Sequence, residues 1–310
     1  MEVIYGLKNY KKEYFRNPVV AIGTFDGVHK AHVLIINKAV ALARQNARTS
    51  VIMTFSPHPR QIIEKKERPV LLTSLRHRIQ LIKQLKPDVC LVVSFNKRFV
   101  NLGARQFLKK IVRNKLQASQ VVVGEKFNFG KGQEGNAGLL YRFQGEYNFK
   151  ATIVKPLKRD NVIISSSRIR SLIEQGKLTV ASRLLGRRFS ILGTVIHGRK
   201  RGHVLGVPTA NIDPHQEVVP PEGVYAVRIF LKKRWHRGAL YIGRQPTFYK
   251  EKRKKVIEVH ILNFEKKIYG QNLEIVFMRR IRSDKRFDSV LSLKKQMFRD
   301  INRVKKLLRF

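Results

Sequence analysis

The stretch Gly23-Thr-Phe-Asp-Gly-Val-His-Lys-Ala-His32 decides how the first half of the chain reads. Before it, Pro18-Val-Val-Ala-Ile-Gly23 is a continuous apolar run after a proline, which predicts a short buried strand. After it, the residues from Val33 to about Arg44 carry apolar side chains at 33, 34, 36, 40 and 42, which predicts a packed helix. The quoted stretch is therefore a strand–turn–helix junction. Gly23 and Gly27 let the backbone turn tightly and approach a ligand. The helix is expected to start near His29, so its free N–H groups and positive dipole end face the turn. A phosphate is the natural guest. His29 and His32 are three apart and share one face of the first turn. Two imidazoles there can hold phosphate oxygens and stabilise charge that develops in phosphoryl chemistry.

Further along, Ser50–Phe55 reads as a second buried strand ending in Ser56-Pro-His-Pro-Arg60, where two prolines predict an extended loop carrying His58 and Pro59. Leu72–Leu85 predicts an amphipathic helix capped by Thr73 or Ser74. A third strand over Asp88–Ser94, a helix over Gly103–Leu116 and a strand over Gln120–Gly124 follow. Strands alternating with helices argue for a parallel α/β sheet with ligands at the strand C-terminal ends. The loop 124–136 holds four glycines and the run Phe127-Asn-Phe129, a composition that suits a planar ring and phosphates. Val162-Ile-Ile-Ser-Ser-Ser-Arg-Ile-Arg170 reads as a strand running into a serine-capped helix. Its hydroxyls, its amides and Arg168 or Arg170 make a second anion site.

Beyond a short helix at 180–185 the periodicity changes. Strands are predicted over Phe189–Ile196, Gly223–Leu231, Trp235–Ile242, Val256–Leu262 and Leu273–Met278, which suggests a small antiparallel barrel. A final helix carries a stripe of Val290, Leu293, Met297, Ile301, Val304 and Leu308. In the strand Ile257-Glu-Val-His-Ile-Leu262, alternation puts Glu258, His260 and Leu262 on one face.

These motifs resemble those of the bacterial bifunctional riboflavin kinase/FAD synthetase family, over essentially the whole chain and in that family's domain order. The first stretch resembles its G-x-F-D-G-x-H-x-G-H signature, with Ala31 where the family has glycine. The segment around His58 resembles T-F-x-P-H-P, and Ser165–Arg170 resembles I-S-S-(T/S)-x-(I/L)-R without a break. The glycine-rich loop matches the family at Phe127, Phe129, Gly130 and Gly135, while Lys126 and Gln133 depart from it. Residues 193–212 resemble the kinase signature ending in L-G-(F/Y)-P-T-A-N, with His203 and Val207 as departures. Ile242–Phe248 resembles N-I-G-x-x-P-T-F, with Tyr241 at the usual asparagine.

The resemblance implies a fold and a set of roles. The fold is a Rossmann-like parallel-sheet nucleotidyltransferase domain of the HxGH type (1–182), followed by an antiparallel β-barrel riboflavin kinase domain with a C-terminal helix (183–310). Glu258, His29 and His32 are the catalytic candidates. ATP and its phosphates are assigned to Gly23, Phe25, Asp26, Gly27, Ser165, Ser166, Arg168, Arg170, Gly198, Gly202, Pro208, Thr209 and Asn211. Flavin is assigned to His58, Pro59, Phe127, Asn128 and Phe129. Mg²⁺ with ATP is assigned to Thr209 and Asn211. Riboflavin, FMN and ATP are the implied partners.

Composition bounds the alternatives. The 310 residues suit two domains. One cysteine, Cys90, sits in the apolar run Val89–Val93, which predicts a core residue and excludes an intrachain disulfide. No apolar run long enough to span a membrane and no signal-peptide pattern are present, so a soluble, cytoplasmic protein is expected. Its oligomeric state is left open by the sequence, with a monomer favoured. The 64 basic and 21 acidic residues give a net charge of +43. Residues 1–180 hold 33 basic and 11 acidic residues, and 181–310 hold 31 and 10, so the charge is spread evenly. Nonspecific polyanion binding follows from such a field. Two rival readings stand beside the enzyme: a basic nucleic-acid-binding protein on a decayed flavin-enzyme scaffold, and a riboflavin kinase whose adenylyltransferase domain is silent.

Overall fold

Six short strands pair in parallel: β1 (Glu2–Tyr5), β2 (Val19–Ile22), β3 (Ser50–Ser56), β4 (Val89–Ser94), β5 (Gln120–Gly124) and β6 (Lys150–Val154), in the order β1-β4-β3-β2-β5-β6. The computed structural model describes residues 1–63, 70–159, 161–198, 206–244 and 255–308. The apolar runs predict these strands because both faces of the sheet are covered. Val20, Ile22, Val51, Met53, Leu91 and Val121 pack into one core, while Val19, Ala21, Ile52, Cys90 and Val122 pack into the other. Adjacent residues thus point to opposite faces, as strand geometry requires. Cys90 is fully buried, and burial pushes its thiol up to about 12, against the pull of the Arg78 charge.

The helix after the opening turn, α1 (Lys30–Gln45), buries Ile35, Ile36, Ala39, Val40 and Ala43. The predicted face of 33, 34, 36, 40 and 42 is therefore rotated: Leu34 is exposed, and two alanines let the helix lie close to the sheet. Pro59 opens a short helix, Pro59–Ile63, where an extended loop was predicted; its fixed φ and missing N–H suit the first helical position. The amphipathic helix α2 spans Leu75–Lys83. The helix predicted over 103–116 is α-helical only at Ala104–Gln106 and then widens into a π-helix over Phe107–Lys115. In that wider turn the Leu116 N–H reaches the Ile111 carbonyl at 2.9 Å. Val162–Ile163 does not join the main sheet but pairs with Lys158–Arg159 in a two-residue hairpin. It leads into α3 (Ser166–Glu174), which is followed by α4 (Leu178–Leu185).

In the second half, β7 (Ser190–Ile196), β8 (Ala210–Asp213), β9 (Gly223–Leu231), β10 (Arg234–Arg244), β11 (Lys255–Ile261) and β12 (Asn272–Ser283) close into an antiparallel barrel in the order β7-β8-β11-β10-β9-β12. Ile257, Val259 and Ile261 point inward, leaving Glu258 and His260 on the outer face. Leu262 lies past the strand end and is buried with Val207 and Val304, so it leaves the face predicted for it. The last helix, α5 (Val290–Leu307), buries Ile301 and Val304, and Leu308 just beyond it is buried too. Val290, predicted for the same stripe, is 69% exposed because the helix meets the barrel only in its second half.

The chain divides into two compact units: residues 1–70 with 75–166, and residues 71–74 with 167–310. Among the described residues, no helix is long and apolar enough to cross a membrane.

Candidate active site

β3, β2 and β5 are neighbours in the centre of the sheet, and each sends a candidate segment from its C-terminal end. After β2 the backbone enters the left-handed region at Phe25 (φ 49°), Gly27 (φ 84°) and Val28 (φ 38°). Glycine tolerates this at 27; phenylalanine and the β-branched valine do so at a cost. Phe25, Asp26, Val28 and His29 are all buried. His29 is the N-cap of α1, and its Nδ1 accepts the His32 N–H at 3.4 Å. The His29 and His32 rings stack at 3.6 Å and 17°, and Phe25 meets His32 edge-on at 5.4 Å. Ala31 sits in the first turn, where alanine is the best helix former, so this departure leaves the helix start intact. Ser166 at the head of α3 donates its hydroxyl to the Asp26 carbonyl at 2.9 Å, tying the serine motif to the turn. Ser165 and Arg170 are half-buried and Arg168 is exposed.

His58 follows β3, and its Nδ1 accepts the Arg60 N–H at 3.3 Å, beside Pro59. After β5 the glycine-rich loop is a built hairpin: Asn128–Phe129 pairs with Gly135–Asn136. Phe127 stacks on Phe129 at 5.5 Å, and the exposed Asn128 amide bonds the Gln133 side chain at 3.2 Å. Sequence reasoning missed a row of rings leading away from this hairpin. Phe129 contacts Phe107, Phe107 contacts Phe99, and Phe99 contacts Phe95 and Phe55, with centroids 5.2 to 6.2 Å apart. Phe55, Phe95 and Phe129, at or just past strand ends, were the available signal; Phe99 and Phe107 lie on helices.

The second constellation lies on the barrel. Register places Glu258 of β11 opposite Asn211 of β8 on one side and Tyr241 of β10 on the other. Thr209 Oγ1 donates to Glu258 Oε2 at 3.3 Å, and the His260 Nδ1–H donates to the Pro208 carbonyl at 2.8 Å. Gly198 lies against the Asn211 amide, and a Cβ there would run into it. Pro208, Thr209, Asn211, Glu258 and Gly198 are thus brought together. Gly202 and His203 lie outside the described residues, as do Gln245–Phe248 and most of the basic run 250–255. Gly198→Ala is expected to displace Asn211 and raise the KM for ATP of any reaction at this site, checked by steady-state kinetics.

Tyr241, also missed, donates its hydroxyl to Asp284 at 3.2 Å. Burial, the Asp284 carboxylate and Glu258 push its phenol up to about 12, against the Arg282 charge. The ordinary value is about 10. Between the two, the folded state keeps a proton that the unfolded chain has lost. This contribution is whole below pH 10 and is lost as pH rises through 12. Tyr241→Phe is expected to flatten the fall of Tm above pH 10 relative to wild type, measured by thermal melts across pH.

A cleft of about 690 Å³ opens among the residues that precede β2, β5 and β6, at the opposite end of the sheet. Three of its twelve lining residues, Arg48, Arg113 and Lys150, are basic. With 64 basic residues in 310, composition alone supplies that share, so the cleft gives no support to a nucleic-acid site. Among the described residues, no group of three or more His, Cys, Asp or Glu could hold a metal.

A family model described as FAD synthetase matches residues 11–168, and one described as riboflavin kinase matches residues 185–308. A bifunctional riboflavin kinase/FMN adenylyltransferase of Buchnera aphidicola subsp. Schizaphis graminum is 37% identical over 309 residues, covering 99% of this chain and 98% of the relative. Proteins of that same name are 36% identical in Bacillus subtilis (93% and 92% covered) and 33% identical in Escherichia coli K12 (97% and 96% covered). A crystal structure described as a macrolide-efflux protein from Streptococcus pneumoniae superposes with a TM-score of 0.83 at 27% identity, covering 98% of this chain and 99% of that one.

Proposed function

Because the chain belongs to the family of bifunctional riboflavin kinase/FMN adenylyltransferases and carries both activities, we propose how its residues divide the two reactions. In the barrel, the riboflavin 5′-hydroxyl attacks the γ-phosphorus of ATP. The new O–P bond forms as the β–γ bridge breaks, ADP leaves, and Glu258 takes the hydroxyl proton. The Thr209 hydrogen bond and the register beside Asn211 support this role, since they hold the carboxylate at one place on the outer face. Thr209 and Asn211 supply oxygen donors of the kind a hard cation takes, so they would hold the Mg²⁺ that accompanies ATP. When bound, that ion neutralises phosphate charge.

At the Gly23–His32 turn, an oxygen of the FMN phosphate attacks the α-phosphorus of ATP. The α–β bridge breaks, FAD forms and pyrophosphate leaves. The α1 amides, the His29–His32 pair and Ser166 hold phosphate charge. The isoalloxazine ring is assigned to the Phe127–Phe129 stack and to the segment of His58 and Pro59. Riboflavin, FMN and ATP are the substrates on this reading, in a cytoplasmic protein. Its even positive charge attracts polyanions without a dedicated site. We take the monomer as the working state.

One observation carries the division of labour: the His29–His32 stack and the Thr209–Glu258 hydrogen bond fall in different compact units. Leaving groups test it. Riboflavin with ATP alone should first release ADP, whereas FMN with ATP should release pyrophosphate and no ADP. ADP release from FMN would overturn the assignment.

A further inference from the structure

Arg78 is a cation buried beneath the opening turn. It lies on α2, is 1% exposed, and is the largest of the fully buried side chains. One of its terminal nitrogens, Nη1, reaches the Thr24 carbonyl at 2.8 Å, the Thr54 hydroxyl at 3.0 Å and the Phe55 carbonyl at 3.2 Å. Thr54 in turn donates its hydroxyl to the same Thr24 carbonyl at 3.0 Å. These three acceptors are two backbone carbonyls and one hydroxyl. An apolar side chain could fill such a position without the cost of desolvating a guanidinium.

The acceptors belong to the two segments that build the site. Thr24 lies between Gly23 and Phe25, just before the left-handed residues Phe25, Gly27 and Val28. Thr54 and Phe55 are the end of β3, from which the chain continues to His58. Strained residues persist only where their surroundings over-determine them. Donors gathered on one nitrogen at the end of a long side chain can tie the two segments together at one point.

We infer that Arg78 is a positioning residue for adenylyl transfer: it fixes the phosphate-holding turn against the segment that leads to His58. The inference rests on the assignment of FAD formation to this turn. It predicts a defect confined to one of the two activities, so the other serves as an internal control.

Arg78→Met and Arg78→Lys are to be compared with wild type, each preparation assayed for FMN from riboflavin and for FAD from FMN, well below the variant's own melting temperature. For Arg78→Met we expect kcat for FAD formation to fall about 100-fold, the scale of a misplacement near 1 Å, with FMN formation unchanged. Arg78→Lys keeps a terminal nitrogen with several donors on a slightly shorter side chain, and should recover part of the loss. A stability defect would vanish on cooling; a positional one persists. FAD formation within twofold of wild type in a folded Arg78→Met overturns the inference. So does the loss of a cooperative melt in both variants, which would make Arg78 a stability element only. If Arg78→Met alone fails to fold, Arg78→Lys decides by the same criterion. Failure of wild type to make FAD would instead overturn the functional assignment, and this inference with it.

Discussion

Glu258→Gln should stop riboflavin phosphorylation while leaving the conversion of FMN to FAD intact. The change keeps the size of the side chain and an oxygen that can still accept the Thr209 hydroxyl, now 3.3 Å away. The barrel is therefore expected to melt as in wild type. What is lost is the capacity to accept the 5′-hydroxyl proton, a contribution of about 10²–10⁴ in rate. Initial rates of FMN formation give the size of the loss, and FAD formation from supplied FMN on the same sample gives the control. Undiminished FMN formation in the variant would remove Glu258 from the reaction.

The reciprocal result is expected from the histidines. His29→Asn keeps an N-cap of high preference, so α1 should remain anchored. It removes the imidazole that stacks on His32 at 3.6 Å. His32→Ala removes the partner ring. Each should lower FAD formation from FMN by about 10²–10³, the range for losing one preorganised donor to developing charge. FMN formation from riboflavin should be unchanged. The double variant should cost less than the product of the two, because the rings touch and act as a unit. Equal losses in both activities would mean that the histidines serve the whole chain and not one site.

Much of this was legible in sequence because the informative segments are local. The buried strand, the glycine turn and His29 at the helix start are written within fourteen residues. The inward and outward faces of β11 followed from alternation alone, and they put Glu258 outside the barrel. β6 and β8 were missed for a shared reason. Lys150-Ala-Thr-Ile-Val154 is an edge strand with no fully buried residue, and Ala210-Asn-Ile-Asp213 is four residues long with one buried. Neither shows a continuous apolar run, and pairing partners far along the chain define both.

Arg78 was hidden differently. In Leu72–Leu85 an arginine reads as the polar face of an amphipathic helix, and only tertiary structure shows that it points inward to the strand ends. Tyr241 likewise looked like a simple departure from an asparagine. Its tie to Asp284 spans 43 positions and leaves no local trace. Contacts of that kind are set by which strands neighbour one another, and periodicity does not encode that order.

One chain should carry riboflavin through to FAD at two separate places. The most direct test is a chromatographic time course with purified wild-type protein, riboflavin, ATP and Mg²⁺. FMN should rise first and then decline as FAD accumulates, and FAD should appear without a lag when FMN is supplied. FMN that accumulates with no FAD from either substrate would contradict the claim for the Gly23–His32 turn, and no flavin product at all would contradict it for the whole chain.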